Sequence, residues 1–219
     1  MDSTSRMDPT AAAERQADAA VQGTTLILAI AACIALFADP TPRADARHAV
    51  ALAVYAPGLL AMAACSALYG RGRDGPRHAL YRKLDKAAIF AMIGGTYTPF
   101  VLLCGGEAHA LRLLAVVWTI ALAGMLAMLA APHRLERLSV PLYPLLGWSV
   151  LSDPGLLAAL PLRAAALLVV GGIPYTVGVL FHRSQMPFQE AVWHGFVLAA
   201  AACHYAAIVR VSGVAAATA

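Results

Sequence analysis

Three observations predict an all-α fold, a polytopic transmembrane bundle of seven helices with a cytoplasmic N-terminus and the C-terminus outside. The 219-residue chain is 60% hydrophobic and only 13% charged, with a mean hydropathy of +0.69, well beyond an ordinary water-soluble domain. Its apolar residues gather into stretches that reach or approach the roughly 20 residues a helix needs to cross a bilayer. Its basic residues sort by alternate loops, as the positive-inside rule requires.

The elements follow in order. Residues 1–20 are rich in Ala, Asp and Ser without core-forming periodicity, and read as a loose tail or a short surface helix. The first apolar stretch, about 21–38, is preceded by Glu14 and Asp18 rather than by a basic region, so it reads as an uncleaved span and not a signal peptide. A Pro-punctuated outer loop, 39–47, leads to the second stretch at about 49–69. Residues 70–83 form a flexible basic segment with Arg71, Arg73, Arg77, Arg82 and Lys83, suited to anionic headgroups on the cytoplasmic face.

The third stretch, about 87–105, contains the run Gly94-Gly95-Thr96-Tyr97-Thr98-Pro99-Phe100, and the fourth covers about 110–131. The fifth, about 139–152, is interrupted by Pro141 and Pro144 ahead of Gly147-Trp148; the sixth, about 162–182, contains Gly171-Gly172 and Pro174; the seventh covers about 191–209. Proline and paired glycine inside spans read either as packing notches and kinks or as the shaping of a cavity at the cytoplasmic end. The first and fifth stretches are short or interrupted, so six spans is the alternative count. No soluble domain is left over: residues 21–212 form one membrane domain between a tail at 1–20 and a C-terminal tail at 213–219.

With seven spans, Arg6, Arg15, Arg71, Arg73, Arg77, Arg82, Lys83, Lys86, Arg134, Arg137 and Arg183 share one side, against Arg43, Arg47, Arg112, Arg163 and Arg210 on the other. The richer side is the cytoplasm, and the chain reads as a multi-pass protein of the cell inner (plasma) membrane. The net charge of +4 lacks the aromatic and basic interleaving of a nucleic-acid surface, so the charge serves topology and membrane lipids are the expected partners. Cys33, Cys65, Cys104 and Cys203 lie within or at the ends of spans with no metal-ligand spacing and read as apolar fillers.

Ionisable residues inside a membrane chain are candidates for function. Ser66 ends the second span, Asp85 opens the third, and Glu190 and His194 open the seventh on one helical face, so all four converge on the cytoplasmic level. Asp85, Glu190 and His194 have the donor chemistry to hold zinc with a water in the open position. The bland alternative is a hydrogen-bonded network, with Asp85–His194 or Lys86–Glu190 holding helix ends together. His204 lies about 15 Å along the helix from His194 at standard rise, too far to share an ion, and reads as a buried hydrogen-bonding histidine.

The blocks Leu84-Asp85-Lys86-Ala87-Ala88-Ile89-Phe90, Gly94 to Phe100, Gly147-Trp148, Gly171-Gly172 with Tyr175 and Gly178, and Trp193 to Leu198 with His204-Tyr205 occur in order over about 60–210. In these blocks the chain resembles the haemolysin III-related membrane proteins, which belong with the progestin and adiponectin receptor-like seven-span proteins. The resemblance implies a seven-helix fold and a zinc ion held by three histidines near the cytoplasmic face, beside an aspartate and a serine. It also implies either a lipid-directed hydrolase or a role in membrane homeostasis. Ser66, Asp85 and His194 match that pattern, whereas Gly70 and Glu190 stand at the other two histidine positions, Gln22 stands for an early-helix histidine, and Lys86 follows the aspartate.

Three functions therefore stand side by side. The first is a membrane protein of lipid or membrane homeostasis with a degenerate metal site. The second is a zinc-dependent hydrolase of a lipid amide or ester, with Asp85 and Ser66 as its catalytic residues, Glu190, His194 and Asp85 on the metal, and His78 as a further ligand folded back from the loop. The third is a small-solute or proton transporter using the same polar groups, and no inverted repeat supports it. A pore-forming toxin is disfavoured because integral helices offer no soluble-to-inserted transition.

Overall fold

The computed structural model describes residues 9–38, 46–182 and 186–213, with side chains outside 132–138. Among the described residues eight α-helices run in chain order: α1 Pro9–Ala38, α2 Ala46–Arg71, α3 His78–Phe100, α4 Ala108–Ala130, α5 Pro132–Gly147, α6 Pro154–Ala159, α7 Leu162–His182 and α8 Gln189–Val211. Among the described residues six helices are long and apolar enough to cross a membrane, namely α1, α2, α3 with its extension to Gly105, α4, α7 and α8. The chain is thus an all-α bundle of multiple apolar spans. Large side chains such as Leu162, Leu145, Leu180 and Leu126 point outward, which is the inside-out distribution a lipid solvent permits.

The expected fifth span differs from the other six. Here α5 has 16 residues, carries Pro141 and Pro144, and passes into a 3-10 segment, Trp148–Ser152, before the six-residue α6. Proline removes backbone donors and restricts the preceding residue, which breaks the segment into short pieces. These pieces nonetheless run alongside α3 in the same direction. The Tyr143 hydroxyl donates to the Lys86 carbonyl (3.1 Å), the Tyr97 hydroxyl donates to the Gly147 carbonyl (2.8 Å), and Leu156 packs on Val101.

Of the two readings for the N-terminal region, a loose tail or a short surface helix, the described residues from Pro9 onward are helical. Residues 1–8 lie outside the described residues, but α1 starts at Pro9 and continues without a break into the apolar stretch. Similarly, α3 begins at His78, so Asp85 sits two turns inside the helix rather than at its mouth. The outer loop at 39–45, Arg183 and the C-terminal tail beyond Gly213 lie outside the described residues.

The Gly94 to Phe100 run is a packing and hydrogen-bonding device. A Cβ at Gly94 would lie 3.0 Å from the Trp118 ring, and one at Gly95 would lie 3.4 Å from the Val54 carbonyl, so the two glycines let α4 and α2 close on two different sides of α3. Thr98 donates to the Gly94 carbonyl (2.9 Å) and accepts from the Trp118 indole (3.1 Å). Pro99 then precedes a π turn, Val101–Gly105, which Gly106 closes with φ 69°. Proline lacks the N–H that would continue the ladder, and glycine tolerates the left-handed closing residue.

The other end of the bundle is closed by neutral and ionic capping. Asp153, buried, accepts from the Leu156 amide (2.9 Å) as N-cap of α6 and stands 3.1 Å from His109 Nε2. A Cβ at Gly155 would lie 2.5 Å from that same imidazole nitrogen. The small residue therefore admits the His109 ring against the start of α6.

Candidate functional site

Four helices bring polar side chains to one level: α1 supplies Asp18 and Gln22, α2 supplies Ser66, α3 supplies Asp85, and α8 supplies Glu190 and His194. Arg73 reaches in from the turn between α2 and α3. Asp18 and Gln22 are four apart, so both project from one face of α1, and both are buried. Their burial makes the first half of α1 part of the packed bundle.

His194 is the hub. Its Nδ1 lies 2.5 Å from Asp18 Oδ1, and its Nε2 lies 3.2 Å from Ser66 Oγ. An ionised carboxylate only accepts, so Nδ1 carries the hydrogen and donates to Asp18; in the neutral ring Nε2 accepts from the Ser66 hydroxyl. The Gln22 amide donates to Asp18 Oδ2 (3.2 Å). Asp85, 9% exposed, faces Ser66 and His194 from α3.

Behind His194 lies an ionic layer. Arg73 donates to Asp18 Oδ2 at 2.6 Å and also pairs with Glu190, so one guanidinium bridges two carboxylates separated by most of the chain. Its Cζ stands 5.9 Å from the centroid of the Tyr69 ring. Arg15 pairs with Asp74 at 2.7 Å, and Glu14 accepts from the Phe188 amide at 3.2 Å. The start of α1, the α2–α3 turn and the entry to α8 are thereby tied together.

The expected site residues are partly united and partly reassigned. Ser66, Asp85 and His194 meet; Glu190 pairs with Arg73 rather than with Lys86, and His78 packs its ring on Tyr69, 5.2 Å between centroids, instead of folding back toward His194. Arg73, expected at the headgroups with its basic neighbours, and Asp18, expected only in the polar lead to the first span, instead belong to the site. The i, i+4 pair Asp18–Gln22 ahead of an apolar run was the available signal. Nothing local distinguishes Arg73 from its basic neighbours.

The donor set, so arranged, does not suit zinc. Both His194 nitrogens already have partners, Glu190 is engaged by a cation, and position 70 offers no donor. A Cβ built at Gly70 would lie 2.1 Å from Gln22 Oε1, so the Gln22 carboxamide fills the space a side chain there would use. Among the described residues no group of three or more His, Cys, Asp or Glu is placed to share an ion.

Below this polar layer lies a partly open cavity of about 370 Å³. Gln22, Ser66, Asp85 and His194 line one end, and apolar side chains including Met62, Met92, Phe100 and Val197 form its walls. At the α5–α7 side a Cβ on Gly172 would lie 2.7 Å from the Trp148 ring, whose indole donates to Thr176 (2.9 Å). His204, also on the wall, donates from Nε2 to the Leu168 carbonyl at 3.3 Å, the role of a hydrogen-bonding core histidine.

Five blocks in this order, with this polar convergence, are a specific signature, and the family described as "Haemolysin-III related" matches residues 22–205. The chain belongs to the haemolysin-III related family. It is 32% identical over 191 residues to "Hemolysin-3" of Bacillus cereus, covering 86% of this chain and 87% of that protein. It is 30% identical over 194 residues to "Hemolysin-3 homolog" of Bacillus subtilis (strain 168), covering 88% and 91%. A more distant similarity, 29% over 132 residues, links it to human "Monocyte to macrophage differentiation factor", covering 58% of this chain and 54% of that protein. The matched region spans the whole polar cluster from Gln22 onward and leaves Asp18 just outside.

Proposed function

We propose that this haemolysin III-type protein resides in the cell membrane, crosses it seven times with the N-terminus in the cytoplasm, and acts in membrane homeostasis by taking a lipid acyl chain into its interior cavity. The cavity carries the reading: a volume of about 370 Å³ with apolar walls and four polar residues gathered at one end matches the usual build of a small-molecule site. An acyl chain supplies the apolar body, and its polar head meets Ser66, Asp85 and His194. Headgroup-level basic residues around the same end favour an anionic leaflet nearby.

The seven-crossing topology has its own support. The contact between His194 and Asp18 brings the start of α8 to the starting half of α1, which requires an even number of crossings in between. The chain from Tyr143 to Leu156, running beside α3 in the same direction, is the segment that completes that number. Shielding by neighbouring helices allows a broken, less apolar segment to cross.

Solvent extraction of the purified protein followed by lipid quantification tests the cavity reading. About one acyl lipid per chain is expected, as for one site of this size, and Met92→Trp, which fills the wall, is expected to lower that amount. Lipid content no higher than that of the detergent control would overturn it.

A second reading rests on one observation. Ser66, His194 and Asp18 stand in the order of nucleophile, base and orienting carboxylate, which is the arrangement that activates a serine toward esters. The homeostasis reading predicts no reaction of Ser66 with a lipophilic fluorophosphonate. Stoichiometric labelling lost in Ser66→Ala would favour lipid-ester hydrolysis instead.

A further inference from the structure

We propose that the Arg73 guanidinium is the resident cation of the polar layer, holding the carboxylates together in the position where a divalent metal would otherwise be needed. Asp18 is almost fully buried, its side chain 4% exposed, and it faces Glu190 across the same guanidinium. Two carboxylates brought together repel, and the buried one, Asp18, also loses solvation, unless a cation stands between them. A planar guanidinium with several fixed donors can bridge both at once, as a lysine ammonium on one stem does less well.

Three further observations point the same way. Gly70 supplies no ligand, and the Gln22 carboxamide occupies the space in front of it. His194 spends Nδ1 on Asp18 and turns Nε2 to Ser66, so neither nitrogen is directed at the ionic layer. Tyr69 presents its ring to the guanidinium, an additional stabilisation that a desolvated cation receives from an aromatic face. Arg73 also sits in a turn, between α2 and α3, whose hydrogen bonds include Gly72 N to Leu68 O (2.9 Å) and His78 N to Gly75 O (3.1 Å). The cation is thus delivered on a fixed arm, and it joins α1, the α2–α3 turn and α8.

This assignment makes Arg73 a structural cation rather than a surface charge for headgroups. It also explains together the two departures at Gly70 and Glu190: loss of one side chain leaves room for Gln22, and the carboxylate at the other position is the one a guanidinium can pair with. The proposal does not depend on what fills the cavity.

Full-length protein purified in detergent and, separately, in nanodiscs tests it by zinc analysis and thermal unfolding, with and without chelator or added zinc. The wild type is expected to contain far less than about one zinc per chain and to keep its Tm under either treatment. Arg73→Ala is expected to lower the Tm, because Asp18 and Glu190 then face each other without their cation. Arg73→Gln, close in shape and neutral, is the second variant in case alanine fails to fold, with the same expectation. About one tightly held zinc in the wild type, with a Tm that falls on chelation, would overturn the proposal. So would an Arg73 variant as stable as the wild type.

Discussion

Tyr97 concentrates four hydrogen-bonding relations on one oxygen. Its hydroxyl lies 2.8 and 3.1 Å from the carbonyls of Gly147 and Leu146 and 3.0 Å from Ser149 Oγ, and it accepts from the Val150 amide at 2.7 Å. These partners occupy the junction where α5 gives way to the 3-10 segment, the place where helix geometry leaves backbone groups unpaired. Removing the hydroxyl leaves the Val150 amide without its acceptor in an apolar setting. Tyr97→Phe is therefore expected to destabilise by about 1–3 kcal/mol, measured as a loss of Tm in detergent, while Tyr81→Phe on the same helix serves as control. The sequence marks Tyr97 as part of an unusual run, but its partners are some fifty positions away and no periodicity connects them. Asp18 and Arg73 were hidden for a related reason: a charge near a span end ordinarily meets headgroups, and only the fold reveals that these two meet each other.

At the scale of elements, helix pairs in this bundle close where one side presents glycine. A Cβ at Gly178 of α7 would lie 3.0 Å from both the Trp193 ring and Phe196 on α8, and one at Gly124 of α4 would lie 2.6 Å from the Phe90 ring of α3. With lipid as apolar as the helices themselves, such close approach is the main source of helix association. Gly178→Leu is expected to force α7 and α8 apart and cost roughly 1–3 kcal/mol, read as a lower Tm and poorer monodispersity, whereas Gly195→Ala, whose added Cβ would meet nothing within 4 Å, is expected to leave both unchanged. The long apolar runs made six of the helices legible from composition alone, because span length is set by the bilayer. The segment 139–152 was harder, since its prolines fragment it and its support comes from α3 rather than from its own apolarity. A short helix was one of the two readings for residues 1–20; its continuity from Pro9 into the first span was not legible, because an Ala-rich stretch with scattered charges has good helix propensity but no strong periodicity.

For the whole molecule, the arrangement of polar groups implies a polarity of function. Asp18, Ser66, Asp85, Glu190 and His194 lie at one end, the cavity extends away from four polar residues, and Arg73 lies behind His194. The seven-crossing reading predicts that a phosphatase fused after residue 219 is active and a fluorescent protein there is dark, with the reverse at the N-terminus; the same result at both ends would return the count to six. The convergence of Ser66, Asp85 and His194 was legible because topology alone brings span ends to one level. The cavity was not, because its volume depends on how Trp148, Gly172 and the α5 fragments sit against α7, which no pattern in the sequence encodes. The most direct test of the account is photo-crosslinking in nanodiscs with a phospholipid carrying a diazirine on its acyl chain, followed by mapping of the modified residues. The account predicts adducts on the cavity-lining Met62, Met92 and Val197, suppressed in Met92→Trp; adducts confined to outward-facing residues such as Leu126, Leu162 and Leu180 would contradict it.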